Sequence, residues 1–221
     1  KEATYPPELY EELKEFQRPL ASITDDEVAP LLNGDDWRTT GDPLLRQAVS
    51  ELKIVYAVDE GIHDMTVHLL STREQPDLLA VYMNGVDVSC HRFWGPMDPS
   101  SVDIRMSEEM VNTFGDVIPR YYHRMDNMIG SILDNVDDDT TIILCSDHGF
   151  KGPTRTSDGI RLGIWMHGQI GVLAAKGPGI VDPASLDGRT IGDASIFDIT
   201  PTLLALFGEP IGRDMDGFVL S

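Results

Sequence analysis

Two short segments pair a carboxylate with an imidazole at spacings that suit a shared cation. In Asn84-Gly85-Val86-Asp87-Val88-Ser89-Cys90-His91, Asp87 and His91 stand four residues apart, so one helical turn aims both at a single ion. In Ser146-Asp147-His148-Gly149-Phe150 the acid and the imidazole are adjacent, which demands an irregular backbone that Gly149 permits. A third imidazole, His167, is flanked by Gly168 and Gly171. Carboxylate oxygen with imidazole nitrogen suits zinc, manganese or iron better than calcium. A lone Asp-x-x-x-His is more often an ordinary surface pair than a ligand pair; the ordered succession of the three pieces is what points to a site. Cys90 and Cys145 lie close to these residues and read as small buried side chains rather than thiolate ligands.

Something must bring these positions together, and the apolar pattern says what. Asp77 to Met83, Thr140 to Cys145 and Gly171 to Ala175 are short continuous apolar runs, the signature of buried strands. Between and around them lie helical stripes. Leu44, Val49, Leu52, Val55 and Tyr56 mark a long helix from about Pro43 to Leu70, ending in a turn at Ser71 to Pro76. Met110, Phe114, Val117, Tyr121, Met125, Met128, Ile132 and Val136 recur at steps of three and four, predicting one helix over 107–136, with Ser107 as its cap and Glu108 and Glu109 in its first turn. Residues 18–42 read as loop with short helical pieces, and Asp198 to Phe207 as a final short helix stopped by Gly208. Apolar strands alternating with long helices predict an α/β fold, a largely parallel sheet sandwiched between helices. In such sheets, ligands bind beyond the carboxyl ends of the strands, where Asp87 and Asp147 fall. Three convincing strands are fewer than the roughly five or six of an average sheet, so the fold is expected to be incomplete at its N-terminus.

These residues resemble the alkaline phosphatase superfamily, in its type I phosphodiesterase/nucleotide pyrophosphatase branch. The resemblance rests on Pro76-Asp77-Leu78 through Asp87, on His91-Arg92-Phe93-Trp94, and on Ser146-Asp147-His148-Gly149-Phe150. It continues through His167 with Gly171, Gly177-Pro178-Gly179-Ile180, Asp198-Ile199-Thr200-Pro201-Thr202-Leu203-Leu204 and Met215-Asp216-Gly217, in the family's order. It implies that residues 1–221 form one domain, the C-terminal portion of a larger alkaline-phosphatase-like catalytic domain. It also implies two divalent metal ions, zinc before manganese: Asp87, His91 and His167 would hold one, and Asp147 and His148 would help hold the other. The family's nucleophile, a Thr or Ser that forms a phospho-enzyme later hydrolysed by water, is expected outside this chain. Thr39 and Thr40 follow no strand and are not promoted to that role. Lys151 and Arg155, after the Asp-His-Gly turn, are candidate substrate contacts, with a solvated loop as the plain alternative. His63, His68 and His123 read as surface or structural residues.

Composition narrows the classes. The chain has 221 residues and a formal net charge of -20, a field that repels nucleic-acid backbones and disfavours a DNA- or RNA-coating role. Two cysteines build no disulfide framework. No apolar stretch is long enough to span a membrane, the share of apolar residues is that of a soluble globular protein, and the opening residues lack the apolar core of a signal peptide, which leaves compartment and oligomeric state open. The function expected is a metal-dependent hydrolase of phosphoester bonds acting on a small phosphoester or nucleotide. The alternatives are a catalytically inactive metal-binding fragment or pseudoenzyme, or, within the superfamily, a phosphomonoesterase or phosphomutase.

Overall fold

In the computed structural model, which describes residues 4–102, 105–152, 166–181 and 193–220, Pro6 and Pro7 lead into a short helix, α1 (Leu9–Leu13). Glu12 of α1 pairs with both His68 and Arg73. Thr24 then caps α2 (Asp25–Val28) in a full capping box: its hydroxyl accepts from the Glu27 N–H while the Glu27 carboxylate accepts from the Thr24 N–H. The rest of the expected loop region holds short 3₁₀ turns, as its scattered Pro, Gly and Asp suggested.

Asp42 opens the longest helix, α3 (Pro43–Thr72), by accepting from the Leu44 N–H, with Pro43 in the first helical position. Its stripe buries Val49, Leu52, Val55 and Tyr56 as the spacing demands, but Leu44, expected in that stripe, is exposed in the first turn and Leu45 is buried instead; one acid, Asp59, is carried into the same interior. Next comes α4 (Gly85–Met97), which buries Ser89, Cys90 and Phe93. The stripe over 107–136 folds as two helices, α5 (Glu108–Phe114) and α6 (Val117–Leu133), rather than one. Pro119 explains the break: it has no N–H for a continuous helix and its ring would strike the carbonyl of Gly115, whereas the first turn of a new helix accepts it. Ser107 caps α5 as expected. Phe93 of α4 stacks on Phe114 of α5 with ring centroids 5.3 Å apart. Tyr121 of α6, Leu45 and Leu52 are fully buried beside them in the helical core.

The strands are short. β1 (Ile142–Cys145) pairs with β4 (Leu173–Lys176) in antiparallel register, Ile142 opposite Lys176 and Cys145 opposite Leu173. β2 (Gly149–Lys151) and β3 (Met166–Gly168) make a second two-stranded sheet. The mixed helix and strand content of an α/β chain is present, but the expected parallel sheet is not found among the described residues. The apolar run 77–83 forms no strand there; it links α3 and α4 without regular secondary structure, with Leu78 and Tyr82 exposed. An apolar run announces a strand but does not name its partner, and a ladder needs both. The final helix, α7 (Ile199–Leu206), follows a 3₁₀ turn capped by Ser195 and ends before Gly208, whose φ of 70° only glycine adopts readily.

The chain divides into two compact units: a helical one, Lys1–Val136 with Lys151–Met166, and a strand-bearing one, Asp137–Phe150 with His167–Ser221.

Candidate metal centre

In the helical unit, Asp87 and His91 sit one turn apart on α4. His91 Nε2 lies 3.5 Å from Asp87 Oδ1, and each side chain is about a third exposed, 32% and 34%. Two ligand atoms bound at about 2.1 Å to one tetrahedral ion are separated by about 3.4 Å, so the pair fits a shared cation with little rearrangement. The opposite face of α4 is fixed by burial of Ser89, Cys90 and Phe93. Burial, with the nearby Asp87 charge, pushes the Cys90 thiol up to about 11. That thiol stays protonated at neutral pH and is a poor metal ligand, as its placement in the sequence suggested. Cys145, in contrast, is exposed, not buried as expected: its strand, β1, leaves Leu144 and Cys145 open to solvent.

In the strand-bearing unit, the turn after β1 carries Asp147, which is exposed, and His148, which is three-quarters buried. The Ser146 N–H donates to the Val172 carbonyl, and the Ser146 hydroxyl accepts from the Val172 N–H, so the turn is tied to the approach to β4 on both sides. His148 Nδ1 lies 3.0 Å from the Gly149 carbonyl oxygen. A carbonyl only accepts, so Nδ1 carries the proton and Nε2 of the neutral ring presents a lone pair; this backbone partner is the usual means of orienting a ligating imidazole. Nε2 is 3.7 Å from Asp147 Oδ1. Gly149 serves the turn in a way other than the expected irregular backbone: a Cβ there would run into the Ile170 carbonyl, so the need is for close approach.

His167 lies within β3, a short strand not read from the sequence, and ahead of β4, the strand expected after it; it is exposed. Its ring stacks on that of His148, centroids 3.6 Å apart and planes 11° from parallel, with Phe150 meeting it edge-on. Lys151 is exposed at the end of β2; Arg155 lies outside the described residues.

The remaining imidazoles take structural roles or lie at the surface. His68 bonds Glu12 and packs on Phe16, and His123 is exposed. Glu60, His63 and Asp64 also gather, their ligand atoms within 4.8 Å of one another. Arg124, however, already pairs with Glu60 and lies over the Tyr56 ring. A cleft of about 500 Å³ in the helical unit is lined by Glu60, His63, Tyr56 and Arg124, with Arg120 and Met128, and not by Asp64, Asp87 or His91.

Two residues bearing on the site went unread in the sequence. Asp59 is wholly buried and its Oδ2 accepts from the Tyr121 hydroxyl at 2.9 Å. Burial pushes the Asp59 carboxyl above its ordinary range, against the pull of Tyr121, Arg124 and the N–H groups of Asn84 and Gly85 at the start of α4. The signal was present: an acid three residues beyond Tyr56, on the apolar stripe of α3.

Among the described residues, no helix is long and apolar enough to cross a membrane. No curated protein and no solved structure matches the chain. A family profile does, over residues 3–195, and by that match the chain belongs to the type I phosphodiesterase / nucleotide pyrophosphatase family.

Proposed function

We propose that this chain carries the cation-binding residues of a two-metal phosphoric ester hydrolase that acts on a small phosphodiester or nucleotide, with zinc as the first-choice metal. Asp87, His91 and His167 hold one ion; Asp147 and His148 hold part of the second. The observation that carries the reading is that, in a chain of this family, a carboxylate and an imidazole meet at ligand spacing twice, at 3.5 Å on α4 and at 3.7 Å after β1. The parallel rings of His148 and His167 support separate ions. An imidazole binds a metal in its own plane, and two planes 11° apart do not meet within bonding distance.

Bound divalent ions would supply Lewis-acid stabilisation of the phosphate oxygens. The chain's own residues do the rest. Gly149 holds the proton on His148 Nδ1 and keeps Nε2 ready to bind. The buried face of α4 fixes the direction in which Asp87 and His91 point. No nucleophile is assigned among the described residues.

Zinc calorimetry tests the reading. His91→Ala, His148→Ala and His167→Ala are each expected to weaken zinc binding by more than about tenfold, the lower bound for losing even an outer-shell partner. The protein with its nucleophile present is expected to cleave bis-p-nitrophenyl phosphate in preference to p-nitrophenyl phosphate. Zinc affinity indifferent to all three substitutions would overturn the assignment.

A further inference from the structure

The start of α4 is held by a group on another helix. Asn84, the residue that should cap α4, makes no capping bond with its own side chain. The first N–H groups of a helix have no partner within it and need one from elsewhere. Those of Asn84 and Gly85 lie within reach of the Asp59 carboxylate, which projects from the middle of α3. Asp59 is itself fixed: the Tyr121 hydroxyl on α6 donates to its Oδ2 at 2.9 Å, and both residues are fully buried. Asp59 Oδ1 is sealed from solvent and makes no well-aligned hydrogen bond among the described residues, so no water competes for the carboxylate there. The packing is close enough that a Cβ on Gly85 would overlap both the Asp59 carboxylate and the Tyr121 ring. Three helices thus converge on one acid, and the helix they pin begins two residues before Asp87.

We infer that Asp59, locked by Tyr121, is a positioning residue that fixes the first turn of α4 and so aims Asp87 and His91 at a common cation. This rests on reading Asp87 and His91 as ligands. The physical case has two parts. A carboxyl group within reach of a helix N-terminus satisfies orphan donors and opposes the positive end of the helix dipole. A buried acceptor shared among three helices also leaves α4 little freedom to rotate or slide, because each hydrogen bond in a dry interior is directional and costly to lose. Less than two turns of helix separate this anchor from His91, so a small rotation at Gly85 swings both candidate ligands.

Cobalt(II) is the probe, because its visible absorption reports ligand geometry as well as binding. The full chain is titrated with cobalt(II) as wild type, Tyr121→Phe, Asp59→Asn, His91→Ala and Leu52→Ala. Leu52 is a control, as deeply buried on the same helix as Asp59 but apolar. Expected are a roughly tenfold weaker affinity and a displaced absorption band for Tyr121→Phe and Asp59→Asn, on the scale of lost outer-shell support. Leu52→Ala should lose stability while keeping both the affinity and the band, which separates positioning from general softening of the core. Tyr121→Phe removes one oxygen and keeps the ring, so it decides the matter if Asp59→Asn fails to fold. Cobalt affinity that survives His91→Ala sinks the ligand assignment itself. Affinity lost in His91→Ala, but with wild-type affinity and band in Tyr121→Phe, leaves that assignment standing and overturns the positioning role.

Discussion

The two acid–imidazole pairs are alike in chemistry and unlike in how they are held. Asp87 and His91 ride on a helix whose other face is pressed into an aromatic and aliphatic core, with Phe93 against Phe114 and a buried acid at the first turn. Asp147 and His148 sit on a turn secured by backbone hydrogen bonds through Ser146 and Gly149, next to a strand pair whose side chains are largely open to solvent. The first pair takes its precision from close packing, which resists any change of volume. The second takes it from hydrogen-bond direction and ring stacking, which fix orientation with little buried surface. Substitutions should therefore injure the two regions by different routes.

The widest gap is expected between Phe93→Ala and Leu173→Ala. Phe93 is 1% exposed, and its loss should cost about 3–5 kcal/mol of stability in urea denaturation. Leu173 is 40% exposed, and its loss should stay near about 0.5 kcal/mol. Equal costs would erase the contrast. Within the strand-bearing unit the vulnerable point is polar. The Asp198 carboxylate accepts from the N–H groups of Ser195 and Phe218, which hold its pKa below the ordinary range. Asp198→Ala strands both donors and should lower the urea midpoint more than Leu173→Ala does, although no apolar surface is lost.

A more modest effect belongs to the cap of α2. Thr24→Ala should remove about 1 kcal/mol. The same box gives a pH signature. Bonds from the Thr24 N–H and hydroxyl, with Arg18 beside them, lower Glu27 from 4.5 to about 2. The lowered pKa means the folded state favours the ionised form. The contribution is therefore complete above about pH 4.5 and disappears as pH falls through about 2. Urea midpoints followed from pH 6 downward should fall in this window, and Glu27→Gln should flatten that part of the curve.

Much of the helical unit was legible because helical periodicity is local. The stripe on α3 needs no knowledge of its neighbours, and Asp42 and Ser107 announce their caps. The division into α5 and α6 was legible too, in Pro119, but the continuous apolar stripe masked it. Pairing was not legible. The run 77–83 has the composition of a strand and no ladder among the described residues, while β2 and β3 contain little apolar sequence and do pair. Strand formation depends on a partner brought from far along the chain, which one segment cannot encode. For the candidate site, the residue types at 87, 91, 147, 148 and 167 were readable. The supports were not, because Asp59, Tyr121 and the Gly149 carbonyl act through tertiary contacts that spacing does not reveal.

The two thiols offer a clock. Cys90 is 2% exposed, whereas Cys145 lies open on its strand. A small electrophile added to the folded chain at neutral pH will alkylate one sulfur, and peptide mass spectrometry will find the adduct on Cys145. The second adduct must wait until the helical core parts, so its rate of appearance measures how often that core breathes.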